Sequence, residues 1–264
     1  MGDGRGGVRR AACSSFDPLP SVQAAARRDA ASATTRNTAN RRRRSTYHPR
    51  RFRHRVGAAA TFPGLCCAPE CRGKAMATIA VVMVDGVADW EIGTILPAAR
   101  AWFGDTLQIA SIDGKPITSI GGLNLHPTYA LSDLAPLDAD LWLLPGSDRW
   151  QAGEIPGLSA LLQQRLEAGR GVAAICGATL ALAYAGLLDT RPHTSNSEAF
   201  LREHATVYAG SAHYQERRVV SADGLITAPG TSPVSFAEAC LRLLHPEREE
   251  QIAQMRQMFA AEFV

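Results

Sequence analysis

Three runs of unbroken apolar side chains constrain this chain more than any other feature: Ile79-Ala80-Val81-Val82-Met83-Val84, Leu141-Trp142-Leu143-Leu144 and Val172-Ala173-Ala174-Ile175. Each is too short for a core helix, and none alternates with polar residues as a half-solvated strand does. A strand that is apolar on both faces must be covered on both, which a parallel sheet between two layers of helix provides. The intervening segments fit that plan. Residues 91–103 are amphipathic helix, 107–112 a further strand, and 158–168 a helix stopped by Gly169. Residues 115–131 break into short stretches around Gly121-Gly122, a small β excursion. Asp223-Gly224 turns 217–221 back on 225–228 as a hairpin, and 235–244 and 247–260 close the chain as helices. The expectation is an α/β domain with a doubly wound, mostly parallel sheet and helices on both faces. Its site belongs in the loops after Val84, Leu144 and Ile175, at strand C-termini.

Charge divides the chain unevenly. Residues 1–75 hold 16 Lys and Arg against 4 acidic residues, a net of +12, whereas 76–264 carry −9. The first segment has no apolar periodicity and contains Arg41-Arg42-Arg43-Arg44, so disorder is its expected state. It reads as a basic nucleic-acid-binding arm, as an Arg-rich transit peptide, or as sequence upstream of a true start at Met76; the last reading is favoured. Cys66, Cys67 and Cys71 lack the paired spacing of a zinc site, so no metal and no cofactor are expected. No apolar run approaches the ~18 residues of a membrane span. Acidity argues against nucleic-acid binding by 76–264. Cys176 and Cys240, the only cysteines there, fit free thiols in a reducing cytoplasm, or an organelle if 1–75 is a transit peptide.

The run 172–175 ends in Cys176, and Gly177-Ala178 then leads into Thr179-Leu180-Ala181-Leu182-Ala183. A strand entering a helix through so tight a turn pushes the turn side chain out at the sheet end, with strain that small neighbours tolerate. The helix N-terminus would favour thiolate, the reactive form. The competing reading is a small core cysteine. Backbone N–H groups at Gly146 and Gly177 are candidates to meet developing oxyanion charge. Glu91, in Asp85-Gly86-Val87-Ala88-Asp89-Trp90-Glu91, is either a solvated first-turn acid or a buried, protonated donor to the thiolate. On the second reading, Glu91→Gln should raise the thiol pKa.

These segments together resemble the ThiJ/PfpI superfamily of class I glutamine-amidotransferase-like proteins, which includes proteases, glyoxalase candidates, isonitrile hydratases and a parkinsonism-associated redox protein. The resemblance spans 76–264 and rests on D-G-V-A-D-W-E, L-L-P-G-S, A-A-I-C-G-A-T and S-A-D-G-L-I-T-A-P-G-T-S. It implies a flavodoxin-like fold, a homodimer, Cys176 as the reactive residue, Glu91 as the protonated acid touching its sulfur, and an oxyanion pocket at Gly146 and Ser147. The chain departs from the family twice. Gly177 stands where the protease branch has histidine, and Asn196 in His193-Thr194-Ser195-Asn196 occupies the histidine position of another branch. His193 and His213 could replace it only if their loops fold over the site. The expected function is cysteine-dependent hydrolase or lyase chemistry on a small carbonyl or amide substrate, without efficient proteolysis. The alternative is a redox-responsive stress or chaperone-like protein whose cysteine is oxidised.

Overall fold

The computed structural model describes residues 76–135 and 138–261. The basic segment 1–75, with its arginine run and its four cysteines, lies outside the described residues. In chain order the elements are β1 (Thr78–Met83), α1 (Asp89–Ile92), α2 (Ile95–Ala98), β2 (Thr106–Ser111), β3 (Ile117–Thr118), β4 (Asn124–Leu125), β5 (Tyr129–Ala130), β6 (Leu141–Leu144), α3 (Leu158–Glu167), β7 (Gly171–Ile175), α4 (Thr179–Tyr184), α5 (Glu198–His204), β8 (Val220–Ala222), β9 (Leu225–Ala228), α6 (Pro233–Leu244) and α7 (Glu249–Ala260). Seven strands form one sheet in the order β5-β2-β1-β6-β7-β9-β8, with β3 and β4 as a separate antiparallel pair. All pairings in the large sheet are parallel except β8 with β9.

The apolar runs do what unbroken apolar strands must. Ile79, Val81 and Met83 of β1 pack with Leu141 and Leu143 of β6 against Phe236 and Leu241 of α6 and Ile252 of α7. The alternate residues, Ala80, Val82, Trp142, Leu144, Val172 and Ala174, pack on the other face against Leu162 of α3, Leu180 of α4 and Leu201 of α5. Each fully buried Leu or Ile contributes roughly 1.5–3 kcal/mol of transfer free energy.

Three elements differ from the sequence expectation. The helix expected over 91–103 is broken into α1, α2 and a wide turn over Ala99–Phe103. Pro97 has no N–H for the Gly93 carbonyl, so a continuous helix cannot form there. The strand expected over 217–221 begins only at Val220, leaving Arg217 and Arg218 in a loop. Asp223 and Gly224 still turn the hairpin, both at positive φ (50° and 78°). Helix α5 was not anticipated. Its only fully buried side chain is Leu201, too little for a visible period, although Ser197 caps it by accepting from the Phe200 N–H at 2.9 Å.

At the N-terminal edge of the sheet, Asp105 is 5% exposed and fully engaged. His245 Nε2 lies 3.0 Å from both of its oxygens, and the Ala77 N–H donates to Oδ1 at 3.0 Å. Arg248 stacks on Phe103 beside them and donates to the Phe103 and Trp102 carbonyls, which ties the start of α7 to the turn before β2.

Candidate active site

The site lies at the opposite edge, where β1, β6 and β7 end. After β1 the chain turns into α1, whose four residues carry two acids with opposite fates. Asp89 faces outward, accepts the Gly121 N–H at 2.7 Å, and is held below the usual carboxylate range chiefly by the Ser119 hydroxyl. Glu91 faces inward and is 0% exposed.

After β7, Cys176 adopts φ 59°, a left-handed conformation shared among the described non-glycine residues only by Asp223. Such backbone costs about 1–3 kcal/mol and persists when its surroundings over-determine it. Thr179 Oγ1 donates to the Cys176 carbonyl at 2.7 Å, and Ser195 Oγ lies 2.7 Å from the same Thr179 oxygen. The strained turn is thereby tied both to the helix it starts and to the loop before α5.

Two glycines let the sulfur and the carboxylate meet. A Cβ on Gly146 would lie 2.6 Å from Glu91 Oε2 and 2.7 Å from the Cys176 Cβ. One on Gly230 would lie 2.8 Å from Cys176 Sγ and 3.0 Å from Glu91 Oε1. The Gly146 N–H donates to Glu91 Oε2 at 2.6 Å. Oε1 has no hydrogen-bond partner among the described residues and lies on the side of the Cys176 sulfur, where a Cβ on Gly230 would meet both atoms. On the other side, Asn196 Nδ2 donates to Sγ at 3.3 Å, while Asn196 Oδ1 accepts the Gly230 N–H at 3.0 Å and so fixes which way the amide points.

Burial pushes the Glu91 carboxyl up to about 7, against the opposite pull of the Gly146 N–H and the Cys176 thiol. The Cys176 thiol is pushed up to about 11, first by burial and then by the charge of Glu91, while Asn196 and the Gly177 N–H act in the opposite direction. This corrects the expectation of a thiolate favoured by the helix end. The turn after β7 is three residues of tight helix leading into a helix of only six, and the nearest full charge is the negative one on Glu91.

The other sequence candidates fall in different places. The Gly146 N–H is committed to Glu91. Ser147 Oγ donates to the Asp85 carbonyl at 2.6 Å and accepts from the Arg149 N–H at 3.1 Å, so its hydroxyl is also occupied. The Gly177 N–H faces the sulfur. His193 is 0% exposed, with Nδ1 2.8 Å from the Arg191 carbonyl and Nε2 2.8 Å from the Tyr208 hydroxyl; burial lowers its pKa. His213 lies in the turn Ser211–His213, and its carbonyl accepts the His193 N–H at 3.2 Å. Neither histidine lines the cleft beside the cysteine. Cys240 is fully buried in α6, and burial drives its thiol upward.

That cleft encloses about 680 Å³ and runs outward from Asn196 between Tyr214, Arg217, Arg218, Thr231 and Ser232. The sulfur is not on its wall; Asn196 is the residue common to both. The wall and the contact of Gly230 with the sulfur were missed from sequence. The one available signal was Ala228-Pro229-Gly230-Thr231-Ser232, a strand end followed by glycine and hydroxyl residues. Among the described residues no group of three or more His, Cys, Asp and Glu side chains is placed to hold a metal, and no helix is long and apolar enough to cross a membrane.

Comparison with known proteins places this geometry in a family context. Residues 77–243 match the DJ-1/PfpI family. The chain is 32% identical over 165 residues to the uncharacterized protease YoaZ of Bacillus subtilis (strain 168), covering 60% of this chain and 79% of that protein. A DJ-1 superfamily protein from Agrobacterium tumefaciens superposes with a TM-score of 0.67 at 37% identity, over 72% of this chain and 100% of the other. A thiJ/pfpI family protein from Bacillus anthracis gives 0.58 at 30% identity, over 70% and 98%.

Proposed function

The chain belongs to the DJ-1/PfpI family, and from that premise we propose that it is a cysteine-dependent enzyme acting on a small carbonyl compound, with Cys176 as nucleophile and Glu91 as its proton acceptor. The observation that carries the reading is Glu91 Oε1: fully buried, without a nitrogen or oxygen partner, facing the thiol, on a carboxyl raised to about 7. A general base works best when its pKa lies near the working pH, and burial brings Glu91 there. As the sulfur attacks the carbonyl carbon, the S–H proton passes to Glu91 Oε1 and the C=O π pair moves onto oxygen. The Gly177 N–H meets the resulting alkoxide, and return of the proton from Glu91 gives the neutral hemithioacetal. Asn196 steadies the negative sulfur that appears during transfer, because its N–H already points there.

The name of the Bacillus relative refers to proteolysis, which needs more than this pair supplies. Expelling an amine calls for a proton donor at the leaving nitrogen, a role histidine fills near neutral pH. His193 has both ring nitrogens occupied, and Asn196 cannot carry a proton between groups. Aldehydes ask for no such departure.

The test is a turnover screen of the full-length protein against methylglyoxal, glyoxal, glycated amino acids, simple amides and casein, with Cys176→Ala beside it. Turnover of a carbonyl compound that disappears in Cys176→Ala, with casein intact, supports the proposal. Casein cleavage that disappears in the same variant overturns it.

A further inference from the structure

We propose that the cleft beside Cys176 carries an anion subsite, built by Arg217, Arg218 and Ser232 at the start of α6, which holds a carboxylate or phosphate on the substrate whose carbonyl meets the cysteine. The proposal rests on the reading of Cys176 as the reacting thiol and adds the substrate's chemical class.

Four observations carry it. The cleft, at about 680 Å³, is far larger than a two- or three-carbon aldehyde requires. Its wall holds no aliphatic side chain apart from Pro229, so its occupant is hydrophilic. Arg217 and Arg218 both line it, are exposed, and form no ion pair among the described residues. Their opponents on the same wall are Glu198 and Glu216. Glu198 is engaged by Arg202 at 3.6 Å, which leaves Glu216 alone against two guanidinium groups. The balance is positive.

The fourth observation concerns α6, a helix of twelve residues that starts at this wall. Ser232, its N-cap, lines the cleft and is 8% exposed, yet its side chain makes no capping bond. Pro233 follows at N1 with no N–H of its own, and the first bond into the helix runs from the Phe236 N–H to the Ser232 carbonyl. The N–H groups of Val234 and Ser235 therefore precede the helical ladder without an intrahelical acceptor. A helix start with an idle hydroxyl cap and two arginines on the same wall favours an oxyanion, which the Ser232 hydroxyl can bind while the guanidiniums neutralise it. Asn196 stands between this end of the cleft and the sulfur. An acid group held here leaves the other end of a short molecule at Cys176.

Alkylation kinetics test the subsite without knowledge of the substrate. Three reagents share one bromoacetamide warhead and a two-carbon spacer: N-bromoacetylethanolamine phosphate, N-bromoacetyl-β-alanine and neutral N-bromoacetylethanolamine. Each rate at Cys176, located by peptide mass mapping in the full-length protein, is divided by that reagent's rate with N-acetylcysteine. The subsite predicts that at least one anionic reagent is ten-fold or more faster than the neutral one, and that the ratio falls towards one in R217Q/R218Q. The faster of the two distinguishes a phosphate from a carboxylate substrate. Ratios near one in the wild type, or a preference that survives in R217Q/R218Q, overturn the subsite while leaving the reactive thiol intact. Failure of all three reagents to modify Cys176 overturns the reading of the thiol and the subsite with it.

Discussion

Glu91 and Asp105 are both carboxylates sealed inside one domain, at opposite edges of the same sheet. Asp105, at the N-terminal edge, has both oxygens engaged by His245 and the Ala77 N–H. Glu91, at the C-terminal edge, has one oxygen bonded to the Gly146 N–H and the other left to a thiol. A buried carboxylate surrounded by donors is a structural tie, because each bond offsets part of the cost of taking the charge out of water. One with an oxygen in reserve is kept at that cost, and burial converts it into a carboxyl that gains and loses a proton near neutrality. The difference separates a part that holds the domain together from a part that works on something else.

The largest effect that would break this contrast is expected from Glu91→Gln. The amide oxygen keeps the Gly146 N–H and the amide nitrogen turns towards the sulfur, but a proton acceptor is gone. Turnover should fall by about 10²–10⁴, the usual worth of a general base. The thiol pKa should fall below about 11, because the charge of Glu91 is one of the causes holding it up. This reverses the sign expected from sequence on the reading of Glu91 as a protonated donor to the thiolate. The wild-type rate should rise with pH through about 7 as Glu91 deprotonates, and that limb should be absent from the variant. Thiolate absorbance and a pH–rate profile measure both. An unchanged rate in Glu91→Gln would make the two carboxylates alike.

Next in size is a change in stability at the other edge. Asp105→Ala strands His245 and the Ala77 N–H in the core and should destabilise the domain by about 3 kcal/mol, with little effect on turnover below its melting transition. Denaturant melts beside turnover assays separate the two. Glu91→Gln should do the reverse at pH 8. The folded pKa of Glu91, about 7, lies above its ordinary 4.5, so the native state holds this proton more tightly than the unfolded chain does. Its contribution is complete below about 4.5 and is lost as pH rises through about 7. The variant should therefore match or exceed the wild-type Tm at pH 8, and the gap should close at pH 5.

The smallest effect is expected from Asn196→Ala. It removes a neutral donor 3.3 Å from the sulfur and should raise the thiol pKa while slowing turnover several-fold. A loss as large as that of Glu91→Gln would make the hydrogen bond from Asn196 to the negative sulfur, and not proton transfer to Glu91, the larger part of catalysis.

What the sequence determined by itself was local. Strands apolar on both faces, the elbow before Gly177 and the Asp223-Gly224 turn were legible because side-chain period and turn chemistry act over a few residues. The break at Gly93 and Pro97 was equally local and was passed over in favour of the amphipathic pattern around it. The tertiary structure decided what depends on residues brought together from afar. Cys176 meets Glu91, Gly146, Asn196 and Gly230 only when β1, β6, β7 and β9 lie side by side in parallel register. The Gly146 N–H, a plausible oxyanion donor in one dimension, is taken by a carboxylate 55 residues away. His193, three residues from Asn196, is lost to the chemistry because Tyr208 and the Arg191 carbonyl claim its ring. The rise of the thiol pKa has the same origin: burial and the charge of Glu91 come from the packed surroundings, and neither is written in the residues beside Cys176.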